Sequence, residues 1–91
     1  MKFKTIIIYK PDTPDEVINQ IEDRINDNIK IYTIEDLGIK KLAYKVQDYT
    51  EGRYSVIKWT GQSKQQNEID KILKEYKEAM KFISIRGEED E

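Results

Sequence analysis

The residues best suited to a chemical role are the cations clustered in the middle of the chain. Between Ile39 and Trp59 there are five basic residues and only two acids, Asp48 and Glu51. The basic residues are Lys40, Lys41, Lys45, Arg53 and Lys58. Lysine and arginine neutralise phosphates, and interleaved aromatic rings support stacking, so this segment predicts contact with nucleic acid. The alternative is a solvated strand whose lysines guard a sheet edge.

Catalytic chemistry finds little support in the composition. The chain has no histidine and no cysteine, which excludes disulfides and thiolate metal sites and removes the commonest general base. Its four glycines, at positions 38, 52, 61 and 87, are isolated and form no phosphate-binding loop. Helix capping, the helix dipole and solubility account for the paired carboxylates. We therefore expect neither enzyme activity nor a cofactor or metal ion.

The length and charge indicate one small domain followed by an acidic tail. Ninety-one residues leave no room for a second hydrophobic core. The formal net charge is −2, but the tail at 88–91 supplies four negative charges, so residues 1–87 are mildly basic. We expect residues 1–87 to form the domain and the tail to be disordered. No apolar run approaches the roughly 20 residues of a membrane span, and the N-terminus lacks an apolar signal core, so we expect a cytosolic protein.

Hydrophobic periodicity predicts the order strand, helix, strand, strand, helix, strand. The strands are predicted at 3–9, at 29–46 with a bulge near Leu37-Gly38, at 53–59 after a turn at 48–52, and at 81–86. Capping boxes are predicted at Thr13 and Ser63, and the second helix extends to Tyr76. The most economical fold is α+β: a ferredoxin-like βαββαβ domain, with a four-stranded antiparallel sheet and two helices on one face.

The central strands of that sheet are apolar on both faces, although the helices can cover only one. Ile6 and Ile8 alternate with Ile7, and Ile57 alternates with Val56. Burial of a large aliphatic side chain stabilises by roughly 1.5–3 kcal/mol, so we expect a protein partner to cover Ile6, Ile8 and Ile57. The alternative is shielding of these side chains by long lysine stems and aromatic edges.

Two other functions suit the same fold. The segment 52–59 superficially resembles the third strand of an RNA-recognition motif, which would make the chain a stand-alone RNA-binding module. Tyr54 and Trp59 are five residues apart, however, and should point to opposite faces of a strand, so they cannot form one stacking platform. The other possibility is a dimerising, ligand-sensing ferredoxin-like domain.

One segment resembles a known family closely. Residues 35–44, EDLGIKKLAY, are similar to the acidic, Leu/Trp-Gly, basic-basic and Leu-Ala-Tyr segment of the sixth protein of the bacterial small ribosomal subunit. The resemblance continues through Lys10-Pro11-Asp12 and the segment 51–54 to the last strand, 80–86. The chain departs from the family in its shorter first helix and in lysine at the usual arginine position of the motif.

The resemblance implies a structural protein of the small ribosomal subunit with no enzymatic activity. Its expected partners are the central domain of small-subunit rRNA and the eighteenth small-subunit protein, with which it would form a heterodimer. By matching position, the RNA-binding residues would be Lys40, Lys41 and Tyr44 of the motif and Arg86 of the closing strand. The basic cluster adds Lys45 and Arg53.

Overall fold

The computed structural model describes residues 1–87 and confirms the ferredoxin-like fold. Its elements are β1 (Lys2–Tyr9), α1 (Asp15–Asn28), β2 (Lys30–Val46), β3 (Tyr49–Thr60), a 3-10 turn (Ser63–Gln65), α2 (Gln66–Lys74) and β4 (Ala79–Arg86). The four strands form one antiparallel sheet in the order β2-β3-β1-β4. The predicted acidic tail lies outside the described residues.

Both helices begin differently from the predicted capping boxes. Pro14 occupies the N-cap of α1, and the Thr13 hydroxyl instead donates to the Lys10 carbonyl at 2.7 Å, closing the turn after β1. At the second helix the backbone N–H of Gln62 donates to Gln65 Oε1 at 2.7 Å, one residue earlier than predicted. Neither helix in residues 1–87 combines the length and apolar character that crossing a membrane requires.

The β2–β3 hairpin is longer than predicted. A two-residue turn, Gln47-Asp48, joins the strands, and Val46 pairs with Tyr49. The predicted turn at 48–52 was therefore wrong, because Gly52 belongs to the strand. A Cβ at Gly52 would lie 2.5 Å from Ile8 Cγ2, so the glycine leaves room for the Ile8 side chain on the neighbouring strand. The predicted bulge near Gly38 is confirmed by a register shift between Asp36 and Gly38.

The hydrophobic core lies between the helices and one face of the sheet. The helices contribute Ile18, Ile21, Ile25, Ile69, Ile72 and Leu73, and the sheet contributes Phe3, Ile7, Tyr9, Ile57 and Trp59. The rings of Phe3 and Trp59 stack with their centroids 4.5 Å apart. Trp59 Nε1 donates to Thr5 Oγ1 at 2.9 Å, and Thr5 Oγ1 lies 2.7 Å from Ser84 Oγ. The indole N–H is thus satisfied inside the core.

The prediction that Ile57 faces away from the helices was wrong. Ile57 is fully buried in the core and lies opposite Thr5, which is also buried. Residues directly opposite each other in an antiparallel pair point to the same face of the sheet. Val56 therefore shares a face with its partner Ile6, on the side that the helices leave uncovered. We call this side the open face.

Candidate nucleic-acid and protein interfaces

The first candidate site is the end of the β2–β3 hairpin, residues 40–52, which we call the arm. β1 ends before Pro11, and its last pair with β3 joins Tyr9 to Arg53, so β2 and β3 continue past it as a two-stranded ribbon. The arm exposes the predicted RNA-binding residues Lys40, Lys41, Tyr44 and Lys45.

The arm presents three exposed lysines. Within residues 1–87, Lys40, Lys41 and Lys45 form no ion pair. The Tyr44 side chain is 82% exposed, which is unusual for a large aromatic residue. Lysines of this kind can bind a phosphate backbone, and the exposed ring beside them can stack on an unpaired base.

Arg53 does not belong to this exposed cluster. It points to the helix side of the sheet, where its guanidinium forms ion pairs of 2.7 Å with both Asp15 and Asp36. It also donates to the Thr13 carbonyl at 3.3 Å. The hydrogen bond from Arg53, followed by that from the Gly38 N–H, lowers the pKa of Asp36. Asp15 and Asp36 thus balance the positive charge of Arg53, the residue that the sequence pattern grouped with the lysines of the arm.

Arg86 lies at the other end of the sheet from the arm. It is exposed at the end of β4, opposite Phe3, whereas the arm begins beyond Tyr9. Because a strand rises about 3.3 Å per residue, roughly 20 Å separate the two positions. Four of the predicted RNA-binding residues therefore lie together in the arm. Arg86 lies far from them, and Arg53 is separate from both.

The second candidate site is the apolar surface of the open face. Ile6 pairs with Val56 on one side and with Ile83 on the other, while Ile8 pairs with Tyr54 and Lys4 with Ile85. The open-face patch consists of Ile6, Ile8, Tyr54, Val56, Ile83 and Ile85. Ile83 and Ile85 are 56% and 43% exposed, so the patch reaches the surface mainly along β4.

The structure places Ile6 and Ile8 on the predicted face but adds residues that the sequence reasoning missed. Tyr54 and Val56 replace Ile57 on β3, and Ile83 and Ile85 extend the surface to the edge strand. The alternation of Ile83 and Ile85 with Phe82 and Ser84 was a usable signal, because period-two alternation marks a strand with two different faces.

Lysines surround the open-face patch. Lys4 and Lys58 pair with each other across β1 and β3, and Lys81 lies opposite Ile8. Lys58 is 3.5 Å from Glu35, whereas Lys4 and Lys81 form no ion pair within residues 1–87. Lys40, opposite Gly52, continues the basic rim into the arm. The face thus combines an apolar centre with a basic rim.

Metal binding has no visible site in the part of the chain that the structure describes. Residues 1–87 contain no group of three acidic, histidine or cysteine side chains placed to hold a metal ion. Tyr54 lies on the open face while Trp59 is buried in the core, so the two aromatic residues do not form one platform. The surfaces described here are suited to binding.

Comparison with known proteins agrees with this architecture. The model of the family described as Ribosomal protein S6 matches residues 2–86. The small ribosomal subunit protein bS6 of Pelobacter propionicus is 30% identical over 89 residues, covering 92% of this chain and 69% of that protein. The corresponding protein of Symbiobacterium thermophilum is 29% identical over 93 residues, covering 97% and 98% of the two chains.

A solved structure shows the same fold. The crystal structure of 30S ribosomal protein S6 from Thermotoga maritima superposes with a TM-score of 0.81 at 23% identity, covering 94% of this chain and 86% of that one. At this identity the likeness concerns the fold, and the family match over residues 2–86 provides the assignment. The chain therefore belongs to the ribosomal protein S6 family and is a constituent of the small subunit of the cytoplasmic ribosome.

Proposed function

We propose that this chain binds small-subunit rRNA through the arm and the eighteenth small-subunit protein through the open-face patch. One observation carries the proposal: on one side of the sheet, an uncovered apolar surface is surrounded by a rim of lysines. An apolar patch framed by polar groups is typical of a protein interface, and unpaired cations are typical of a phosphate contact.

The apolar part of the surface supports the protein partner. Ile83 and Ile85 stand beside the half-buried Ile6, and the helices of this chain cannot reach that side. Burial of such side chains by a partner contributes favourable free energy of association, and a few well-buried anchors usually dominate an interface. RNA would gain little from these aliphatic groups, whereas another protein could bury them.

The charged part of the surface supports the RNA partner. Lys40, Lys41 and Lys45 have no counter-ion within residues 1–87, and the exposed Tyr44 lies among them. Their attraction to phosphate is independent of sequence, so specificity for the central domain would come from shape and from the partner protein. Arg86 would add a contact at the far end of the sheet. Arg53 forms ion pairs with Asp15 and Asp36, so its role would be to stabilise the fold where the arm begins.

No catalytic role is part of the proposal. The purified chain should hydrolyse neither acylphosphates nor nucleotides and should need no metal ion or cofactor. Reproducible turnover that a single Asp or Arg substitution abolishes would contradict this.

The partner interface can be tested with a pair of isoleucine variants. Ile83→Ser removes an exposed apolar group from the open-face patch, and Ile34→Ser removes one of similar exposure, 45%, from the helix side of β2. By calorimetry with the purified eighteenth small-subunit protein, Ile83→Ser should weaken binding by roughly 1–3 kcal/mol, the range of a well-buried anchor. Ile34→Ser should bind as the parent does.

Binding to the protein partner, binding to RNA and self-association together distinguish the competing functions. Equal binding by both variants would move the partner away from the open face. Tight binding of short RNA by the chain alone, with no gain from the protein partner, would favour a stand-alone RNA-binding module. Self-association in sedimentation that Ile83→Ser abolishes would favour a dimerising domain.

A further inference from the structure

A polar cleft lies on the helix side of the sheet, away from the open face. It has a volume of about 280 Å³ between α1 and strands β2 and β3. Its walls include Ile18 and Glu22 from α1, and Ile34, Asp36, Arg53 and Ser55 from the sheet. Because a water molecule occupies about 30 Å³ of liquid, the cleft is large enough for a small organic group.

Glu22 is the acid in this cleft whose charge is left unmatched. Arg53 directs its hydrogen bonds to Asp15, Asp36 and the Thr13 carbonyl, and within residues 1–87 Glu22 forms no ion pair or hydrogen bond. Burial raises the pKa of the Glu22 carboxyl, and repulsion from Asp36 and Asp23 raises it further against the opposing effect of Arg53. The cleft therefore has a local excess of negative charge.

Two buried hydroxyl groups near Glu22 also lack partners. Ser55, only 3% exposed, lines the cleft, and its Oγ has no hydrogen-bond partner within residues 1–87. The same is true of the Tyr9 hydroxyl, whose residue is fully buried. Burial raises the pKa of Tyr9, and the charge of Glu22 adds to this. Buried polar groups are normally hydrogen-bonded, and the unpaired Ser55 hydroxyl belongs to a residue in the wall of the cleft, so it can accept a hydrogen bond from a group bound there.

We propose that this cleft binds a guanidinium group. A guanidinium is planar, forms two parallel hydrogen bonds with one carboxylate, and carries further N–H donors for a hydroxyl oxygen such as Ser55 Oγ. Ile18 on the helix and Ile34 on the sheet provide aliphatic walls for its weakly hydrated faces, which an ammonium ion lacks. The site is on the opposite side of the sheet from the open-face patch and does not depend on the proposed ribosomal contacts.

The test is a titration of the ¹⁵N-labelled full chain followed by NMR. Methylguanidinium chloride, at concentrations far below those that denature proteins, should cause saturable shifts at Glu22 and Ser55. Methylammonium chloride at equal ionic strength should cause weaker, unsaturated ones. Glu22→Gln should reduce the affinity at least about tenfold, as loss of a charge-assisted pair implies. The control Glu16→Gln makes the same change at an exposed site on α1 and should leave the affinity unchanged.

A second variant keeps the result interpretable if Glu22→Gln perturbs the helix. Ser55→Ala should also weaken binding of methylguanidinium while leaving the rest of the spectrum in place. N-acetyl-arginine amide and free L-arginine then distinguish the source: tighter binding of the amide indicates an arginine residue of a polypeptide, and tighter binding of L-arginine indicates the free amino acid. Shifts that never saturate, equal response to methylammonium, or unchanged affinity in both variants would overturn the proposal.

Discussion

At the scale of single residues, the surroundings of Glu22 disfavour the charged form of its carboxyl group. Burial raises the pKa of its carboxyl above the ordinary value of 4.5. The folded state therefore binds this proton more tightly than the unfolded chain, and stability falls as the pH rises from about 4.5 through the raised pKa. Asp36 and Glu75 act in the opposite sense, because hydrogen bonds from Arg53 and Arg24 lower their pKa values and their stabilisation is lost as the pH falls.

A comparison at two pH values isolates the contribution of Glu22. Glu22→Gln should melt at a higher temperature than the parent at pH 7, because the fold favours the neutral form of this side chain. The difference should shrink at pH values well below 4.5, where Glu22 is mostly protonated in both states. Thermal denaturation followed by circular dichroism measures both. A variant that melts lower than the parent at pH 7 would show that the Glu22 charge is compensated.

At the scale of elements, the turn of the arm contains a local conflict between residue type and backbone. Gln47 and Asp48 both have positive φ, 50° and 71°, in a two-residue hairpin turn. Such turns favour Asn-Gly, because other residues in the left-handed region cost energy. The double change Gln47→Asn with Asp48→Gly should raise the free energy of unfolding by up to about 1 kcal/mol. Urea denaturation measures it, and the control Thr50→Gly, within β3, should destabilise.

The arm as an element should also control the salt dependence of RNA binding. Lys41→Glu removes one of its unpaired cations, so binding to a central-domain rRNA fragment should weaken. The log–log slope of affinity against salt should decrease by roughly 0.7–0.9 if one phosphate contact is lost. Filter binding at several salt concentrations gives both values. Lys71→Glu, an equal charge change on the exposed side of α2, is the matched control and should have a smaller effect.

At the scale of the whole molecule, one face of the sheet forms the folding core and the other is exposed. Substitutions on each face should therefore affect stability differently. Ile57 is fully buried beneath the helices, so Ile57→Ala should lower the free energy of unfolding by about 2–5 kcal/mol. Ile83 is 56% exposed on the open face, so Ile83→Ser should change the stability of the isolated chain by less than about 1 kcal/mol. Chemical denaturation of both variants measures the difference. Equal losses would mean that the open face is part of the folding core.

Much of the fold followed from local patterns in the sequence. Alternation in β1, the apolar stripe of α1 and the order of the six elements are properties of short segments, and they were sufficient to predict the ferredoxin-like architecture. The exposed lysines of the arm were also predictable, because a run of cations cannot be buried without partners. The bulge at Gly38 was marked by a glycine within a strand pattern.

The tertiary structure alone decided which groups meet. Ile57 and Val56 are adjacent and equally apolar, and only the pairing of β3 with β1 determines that Ile57 faces the helices. Arg53 seemed part of a basic cluster until the fold placed it between Asp15 and Asp36, one of them 38 residues away in the chain and the other 17. The cleft around Glu22 likewise joins three separate elements. Register and long-range pairing arise from contacts between distant segments, which the periodicity of a single segment does not contain.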